Sequence, residues 1–272
     1  MSPRIKKHLV LLTIILPVLA INVDNRVDAH EIINTGKWTF HELDARIAQA
    51  SKIKDTPERI DFISRQFLGV PYQEKTLVGD AQTPELLTIN LAGVDCFTLL
   101  EYVEAMRWSQ SFDAFKGNLI KIRYQSEIVD YQHRNHYFTD WVEFNADRVA
   151  DVTKQIAAAK TKTAIKILNG GTGNKQLLPG VPSRKRIINY IPAEALSKEI
   201  TKRLKTGDYV GIYTNRPDID VSHVGIVIRD GKKLLFRHAC SKPHHRKVVD
   251  EDFMEYMINR PGLVILQAKP IK

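Results

Sequence analysis

Cys96 is one of only two cysteines in the chain, and its surroundings suit a nucleophile. A thiolate, not a thiol, attacks a carbonyl carbon. Asp95 precedes Cys96 and the apolar run FTLLEYVEAMRW follows it, with Leu99, Leu100, Val103 and Met106 at the spacing of one buried helix face. Asp is a good N-cap. Cys96 is therefore expected in the first turn of a buried helix, where the helix dipole favours negative charge. Unpaired amides there suit the oxyanion of a tetrahedral intermediate. The bland alternative is a small buried hydrophobe at a helix start.

A thiol nucleophile needs a base, and the segment from His223 to Cys240 offers two imidazoles. Asp230-Gly231 between apolar runs is a hairpin signal. If those two residues form the turn, 229 faces 232, 227 faces 234, 225 faces 236 and 223 faces 238. His223 and His238 then become direct cross-strand neighbours, with Cβ atoms roughly 5 Å apart. On that register His223 is the base and His238 the group that fixes its tautomer. A slip by one residue would send the rings to opposite faces. Cys240 shares the face of His238, as a packing residue or as a second thiol whose oxidation to a Cys96–Cys240 disulfide would silence the site. A metal reading draws on His223, His238, His244 and His245 with Asp95, but neither HExxH nor paired CxxC occurs, so no metal is expected.

The elements that must position these groups are readable in part. Residues 39–54 have helical spacing, and Thr56-Pro57 opens a second helix that Gly69 ends. Residues 86–92 read as a short strand, the helix of Cys96 follows, and another helix begins at Phe112. Residues 135–144 read as a strand, 168–191 as a long loop rich in Gly, Pro and basic residues, and 193–205 as a helix. After Gly207-Asp208 come four apolar β runs: YVGIYT, HVGIVIR, KLLFRHA and LVILQAK. Helices first and antiparallel strands last argue an α+β fold.

The 272 residues are 43% apolar and 26% charged, as in globular proteins. Arg4, Lys6 and Lys7 precede the apolar stretch 9–20, which is short for a membrane span. This reads as a secretory signal cleaved after Ala20 or Ala29, with an uncleaved anchor as the alternative. Residues 30–272 are then one domain. Removal of residues 1–29 takes the net charge from +9 to +7, which favours an anionic wall or membrane surface. The scattered lysines, without an aromatic-basic platform, argue against nucleic acid.

Val94-Asp95-Cys96 before an apolar helix, Gly207-Asp208 before a strand, Ser222-His223-Val224-Gly225-Ile226 and Gly69-Val70-Pro71-Tyr72 resemble the NlpC/p60 cysteine peptidases. The fuller set INLAGVDC, RNHYFTDW, DVSHVGI and RHA before Cys240 is similar to their DUF1460 branch of N-acetylmuramoyl-L-alanine amidase-like proteins, over residues 55–270. The resemblance implies a papain-like α+β fold and a periplasmic or secreted, monomeric hydrolase of muropeptides that needs no cofactor. It implies Cys96 as nucleophile, His223 as base and His238 as third polar residue. It also implies Tyr72, Asp95, Asn135, His136 and Tyr137 as substrate contacts. The bond implied is N-acetylmuramoyl–L-alanine; a γ-D-glutamyl–diamino acid bond, or wall binding without catalysis, are the alternatives. Phe97 and Cys240 depart from the family's usual hydroxyl residues at those positions.

Overall fold

The computed structural model describes residues 31–171 and 176–271; the expected secretory signal lies outside them. The first half is mainly helical. Strand β1 (Ile32–Asn34) precedes helices α1 (Phe40–Ser51) and α2 (Thr56–Arg65) and pairs in parallel with β2 (Thr88–Asn90). Helices α3 (Cys96–Arg107), α4 (Phe112–Arg123) and α5 (Asp140–Phe144) follow. The second half runs β3 (Val149–Asp151), α6 (Thr153–Ala157), β4 (Lys162–Leu168), β5 (Arg184–Pro192), α7 (Lys198–Thr201), β6 (Tyr209–Tyr213), β7 (Val221–Asp230), β8 (Lys233–Cys240), β9 (Lys247–Asp252), α8 (Phe253–Met257) and β10 (Gly262–Ala268).

Eight strands form one antiparallel sheet in the order β4-β5-β10-β6-β7-β8-β9, with β3 beside β10. Alternate residues bury both faces. Val224, Ile226 and Ile228 of β7 join the core shared with α1–α4, whereas Val227 joins Phe236, Phe253 and Met257 in a second core on the other side. Among the described residues no helix is long and apolar enough to cross a membrane.

Helix α3 is buried on every side from Thr98 to Arg107, more than the single apolar stripe in its sequence implies. Its charged residues are paired inside the protein. Glu104 bonds Arg107 and the Tyr209 hydroxyl, at 2.7 and 2.6 Å. Glu101 bonds Arg123 at 2.8 Å. Burial pushes the Glu101 carboxyl up, and Arg123 opposes that shift. Breaking such a pair from one side strands a buried charge, so these bonds fix where α3 lies.

Several sequence expectations are corrected. Residues 135–144 are not a strand. The Asp140 carboxylate accepts the Tyr137 amide at 3.0 Å, closing a turn that starts α5, and Phe138 and Trp141 reach the same core three residues apart. The expected loop 168–191 contains most of β5, whose basic triplet Arg184-Lys185-Arg186 runs into Ile187 and Ile188 as it pairs with β4. The expected helix 193–205 is reduced to a 3-10 turn at Ala193–Ala195 and the single turn of α7. The hairpin turn is Gly231-Lys232, because Asp230 pairs with Lys233 and Val227 with Phe236. Gly231, at φ +58°, supplies the left-handed residue. The pairing is thus displaced by two relative to the expected one, an even shift that leaves His223 and His238 on the same face.

Candidate active site

Asp95 caps α3 as its sequence suggests. One carboxylate oxygen accepts the amides of Phe97 and Thr98 at 3.0 and 2.7 Å, and the Thr98 hydroxyl accepts the Asp95 amide at 3.0 Å. Phe97 and Thr98 amides are therefore occupied. The amide of Cys96 itself has no acceptor among the described residues. Cys96 is a free, half-buried thiol. Burial, and next the Asp95 carboxylate, push it up to about 12; the amides of Val224, Cys96 and Phe97 pull the other way. The thiol is thus protonated at rest, contrary to the expectation from the helix dipole alone.

Cys96 lines an open cleft of about 590 Å³ with Phe97, His136, Tyr137, Leu178 and His223. The thiol arrives from α3 on one side of the sheet. His223 belongs by alternation to the other side, with Phe236. They share a cleft because the β7–β8 ladder runs only from Asp230↔Lys233 to Ile226↔Arg237. His223 and His238 lie beyond its last pair.

There the two imidazoles bond directly: His223 Nε2 lies 2.8 Å from His238 Nδ1. They are diagonal neighbours rather than opposite residues, and Gly225 leaves the room. A Cβ at Gly225 would lie 2.5 Å from the Phe236 ring. His238 Nε2 in turn lies 2.6 Å from the Glu251 carboxylate, on β9. Phe236 stacks on His238 at 4.8 Å between centroids, and Tyr256 packs edge-on against it at 4.9 Å. The bonds fix the tautomers. A carboxylate only accepts, so His238 Nε2–H donates to Glu251. His238 Nδ1 is then an acceptor, and His223 Nε2–H donates to it. The remaining nitrogen of His223, Nδ1, carries a lone pair. Burial pushes His223 down to about 3, with His238, Arg260 and Lys242 adding to the shift. Burial also lowers His238, against the pull of Glu251. Among the described residues no hydrogen bond joins Cys96 Sγ to His223.

Glu251 is absent from the sequence reading, which assigns no strand to residues 247–252. The available signal is the Val248-Val249 pair running into Asp250-Glu251-Asp252.

The remaining expected residues divide. Tyr72 is half-buried and outside the cleft lining, yet close enough to Cys96 that a thiolate there raises the phenol further; burial is the larger cause. His136 and Tyr137 line the cleft. The His136 Nε2–H donates to the Tyr131 carbonyl at 2.8 Å, and burial pushes its imidazole down to about 4. Tyr137 is buried, its hydroxyl without a partner among the described residues and raised by burial and by Asp140 and Asp220. Asn135 is buried away from the cleft, its side-chain amide donating to the Ile122 carbonyl at 2.8 Å. It ties the loop to α4 and is not brought together with the other expected substrate contacts. Of the histidines weighed as metal ligands, His244 and His245 lie against each other with tilted rings, whereas His238 groups with Cys240 and Glu251.

The architecture is that of a mixed α/β protein, an antiparallel sheet backed by helices. Within that class the chain belongs to the N-acetylmuramoyl-L-alanine amidase-like (AmiA-like) family, whose model matches residues 62–263. A Legionella pneumophila protein of the DUF1460 family is similar in fold, with a TM-score of 0.71 at 21% identity over 85% of this chain and 95% of that one. The crystal structure of an N-acetylmuramoyl-L-alanine amidase from Bacteroides uniformis is similar at 28% identity, with a TM-score of 0.64 over 79% of this chain and 99% of that one. Comparison with curated protein sequences finds no match.

Proposed function

We propose that this protein is an exported cysteine amidase of the NlpC/p60 type. It cleaves the N-acetylmuramoyl–L-alanine bond of small peptidoglycan fragments in the periplasm or outside the cell. The observation that carries the reading is the chain Glu251–His238–His223, which leaves Nδ1 unprotonated on a histidine that lines the same cleft as Cys96. Family membership and the name of the Bacteroides relative support the choice of bond.

The resting pair is a neutral thiol and a neutral imidazole, since one is pushed up and the other down. Attack and proton transfer are therefore coupled. His223 Nδ1 takes the thiol proton as sulfur bonds to the carbonyl carbon. His238 and Glu251 support the positive charge that forms on His223. The Cys96 amide, free of an acceptor, and the Tyr72 hydroxyl face the developing oxyanion. His223 then gives its proton to the leaving amine, and water hydrolyses the thioester with His223 again as base. His136 and Tyr137 bound the side of the cleft that receives the acyl portion.

The test is incubation of wild type and Cys96→Ala with defined muropeptides, followed by mass spectrometry of the products. The expected result is release of the intact stem peptide by wild type, with a loss of at least about 10³-fold in Cys96→Ala. Equal cleavage by both would overturn the nucleophile assignment. Release of a peptide cut after γ-D-glutamate would replace the bond while keeping the thiol mechanism.

A further inference from the structure

The residue after Ala239 in β8 is a cysteine, and it lies against the imidazole chain. His238 and Cys240 project from the same face of β8, and Glu251 reaches them from β9, where Phe236 pairs with Glu251 and Cys240 with Lys247. One ligand atom from each of His238, Cys240 and Glu251 lies within 4.8 Å of the others. His238 and Cys240 are each 1% exposed, and Glu251 is partly open to solvent. We propose that these three residues form a binding site for a thiophilic divalent cation of the zinc class, and that its occupancy switches the imidazole chain off.

The donor set is that of zinc: one thiolate, one imidazole nitrogen and one carboxylate oxygen. With zinc bonds of about 2.0–2.3 Å, tetrahedral ligands stand about 3.4–3.6 Å apart, so the widest pair closes by little more than about 1 Å. Thiolate and carboxylate balance the charge of the cation, which suits a buried position. A water on the Glu251 side completes four ligands. Lys242, 3.8 Å from Glu251 and half exposed, gives up that partner and turns to solvent. Arg260 acts on His223 from beside Tyr256, and His245 acts on His238.

The inhibitory half of the proposal rests on the function proposed above; the binding half does not. Without metal, His238 carries its proton on Nε2 and His223 on Nε2. A cation bound at His238 Nε2 moves that proton to Nδ1. His238 Nδ1 can then no longer accept from His223. The His223 proton shifts from Nε2 to Nδ1, and Nε2 becomes the acceptor. Each imidazole still carries one proton, and the Cys240 thiol releases one to solvent. The lone pair on His223 Nδ1, which the proposed function uses to take the thiol proton, is replaced by an N–H, so His223 cannot serve as the first base.

The sequence makes the test clean, because Cys96→Ala leaves Cys240 as the only cysteine. Titration of Cys96→Ala with Co²⁺ is expected to give a near-ultraviolet thiolate-to-cobalt band saturating at one metal per chain. The band should vanish in Cys96→Ala/Cys240→Ser. Zinc affinity, read by competition with a chromogenic chelator, is expected to fall at least about tenfold in the double variant. Absence of the band in Cys96→Ala, or equal zinc affinity in both proteins, would overturn the site. The first measurement does not need Cys240→Ser to fold, and equal melting temperatures check that it does. In otherwise wild-type protein, Cys240→Ser is expected to raise the half-inhibitory zinc concentration for muropeptide cleavage at least about tenfold. Metal binding at Cys240 without this shift would overturn the switch, and with it the part assigned to the imidazole chain. Loss of cleavage in both proteins before zinc is added would point instead to the proposed function.

Discussion

The two sides of the cleft are built by different kinds of interaction. The thiol side is local. Asp95, Cys96, Phe97 and Thr98 make the cap among themselves, and α3 is then clamped by Glu104–Tyr209 and Glu101–Arg123. The imidazole side is assembled from three strands that meet through register. His223, His238 and Glu251 come from β7, β8 and β9, and their bonds form where the β7–β8 ladder ends. A helix start can be read from four consecutive residues. A proton path across strands depends on pairings that a displacement by one residue would undo.

The largest expected effect comes from removing the base. His223→Ala should lower amide cleavage by about 10²–10⁴-fold with the fold intact, measured on the same muropeptides. The thiol side should break differently. Arg107→Met strands the Glu104 carboxylate inside the protein with only hydroxyl and indole donors. It should cost about 3–5 kcal/mol of stability in denaturant titration. The smallest effect should come from the far end of the imidazole chain. Glu251→Gln can accept through its amide oxygen but carries no charge to support an imidazolium. As a positioning residue its loss should reduce kcat by about 10–100-fold with KM held. A KM effect alone would place Glu251 with the substrate instead.

The same contrast explains what the sequence could disclose. The capped helix of Cys96, the four late strands and the shared face of the two histidines are visible because cap chemistry, apolar alternation and strand parity are local properties. The turn was misplaced by one residue since Asp230-Gly231 and Gly231-Lys232 both suit a two-residue hairpin. The even displacement that resulted preserved the face and so hid the error. β9 escaped because Asp250, Glu251 and Asp252 mask a strand whose acids are taken up by Arg237 and His238. β5 escaped because the basic triplet Arg184-Lys185-Arg186 opens it, although Arg186 turns to the carboxylates of Asp140 and Glu143. Asn135 read as a binding residue from its motif, whereas its amide is engaged by a backbone carbonyl. At Cys96 the helix amides favour a thiolate, but burial and the capping carboxylate outweigh them.

The central claim is that Glu251, acting through His238, leaves Nδ1 of His223 as the unprotonated nitrogen that takes the thiol proton. The direct measurement is a long-range ¹H–¹⁵N correlation spectrum of histidine-labelled protein near neutral pH, assigned with His223→Ala and His238→Ala. The account expects both rings neutral, with protons on Nε2 and lone pairs on Nδ1. A His223 ring protonated on Nδ1 at rest would contradict it.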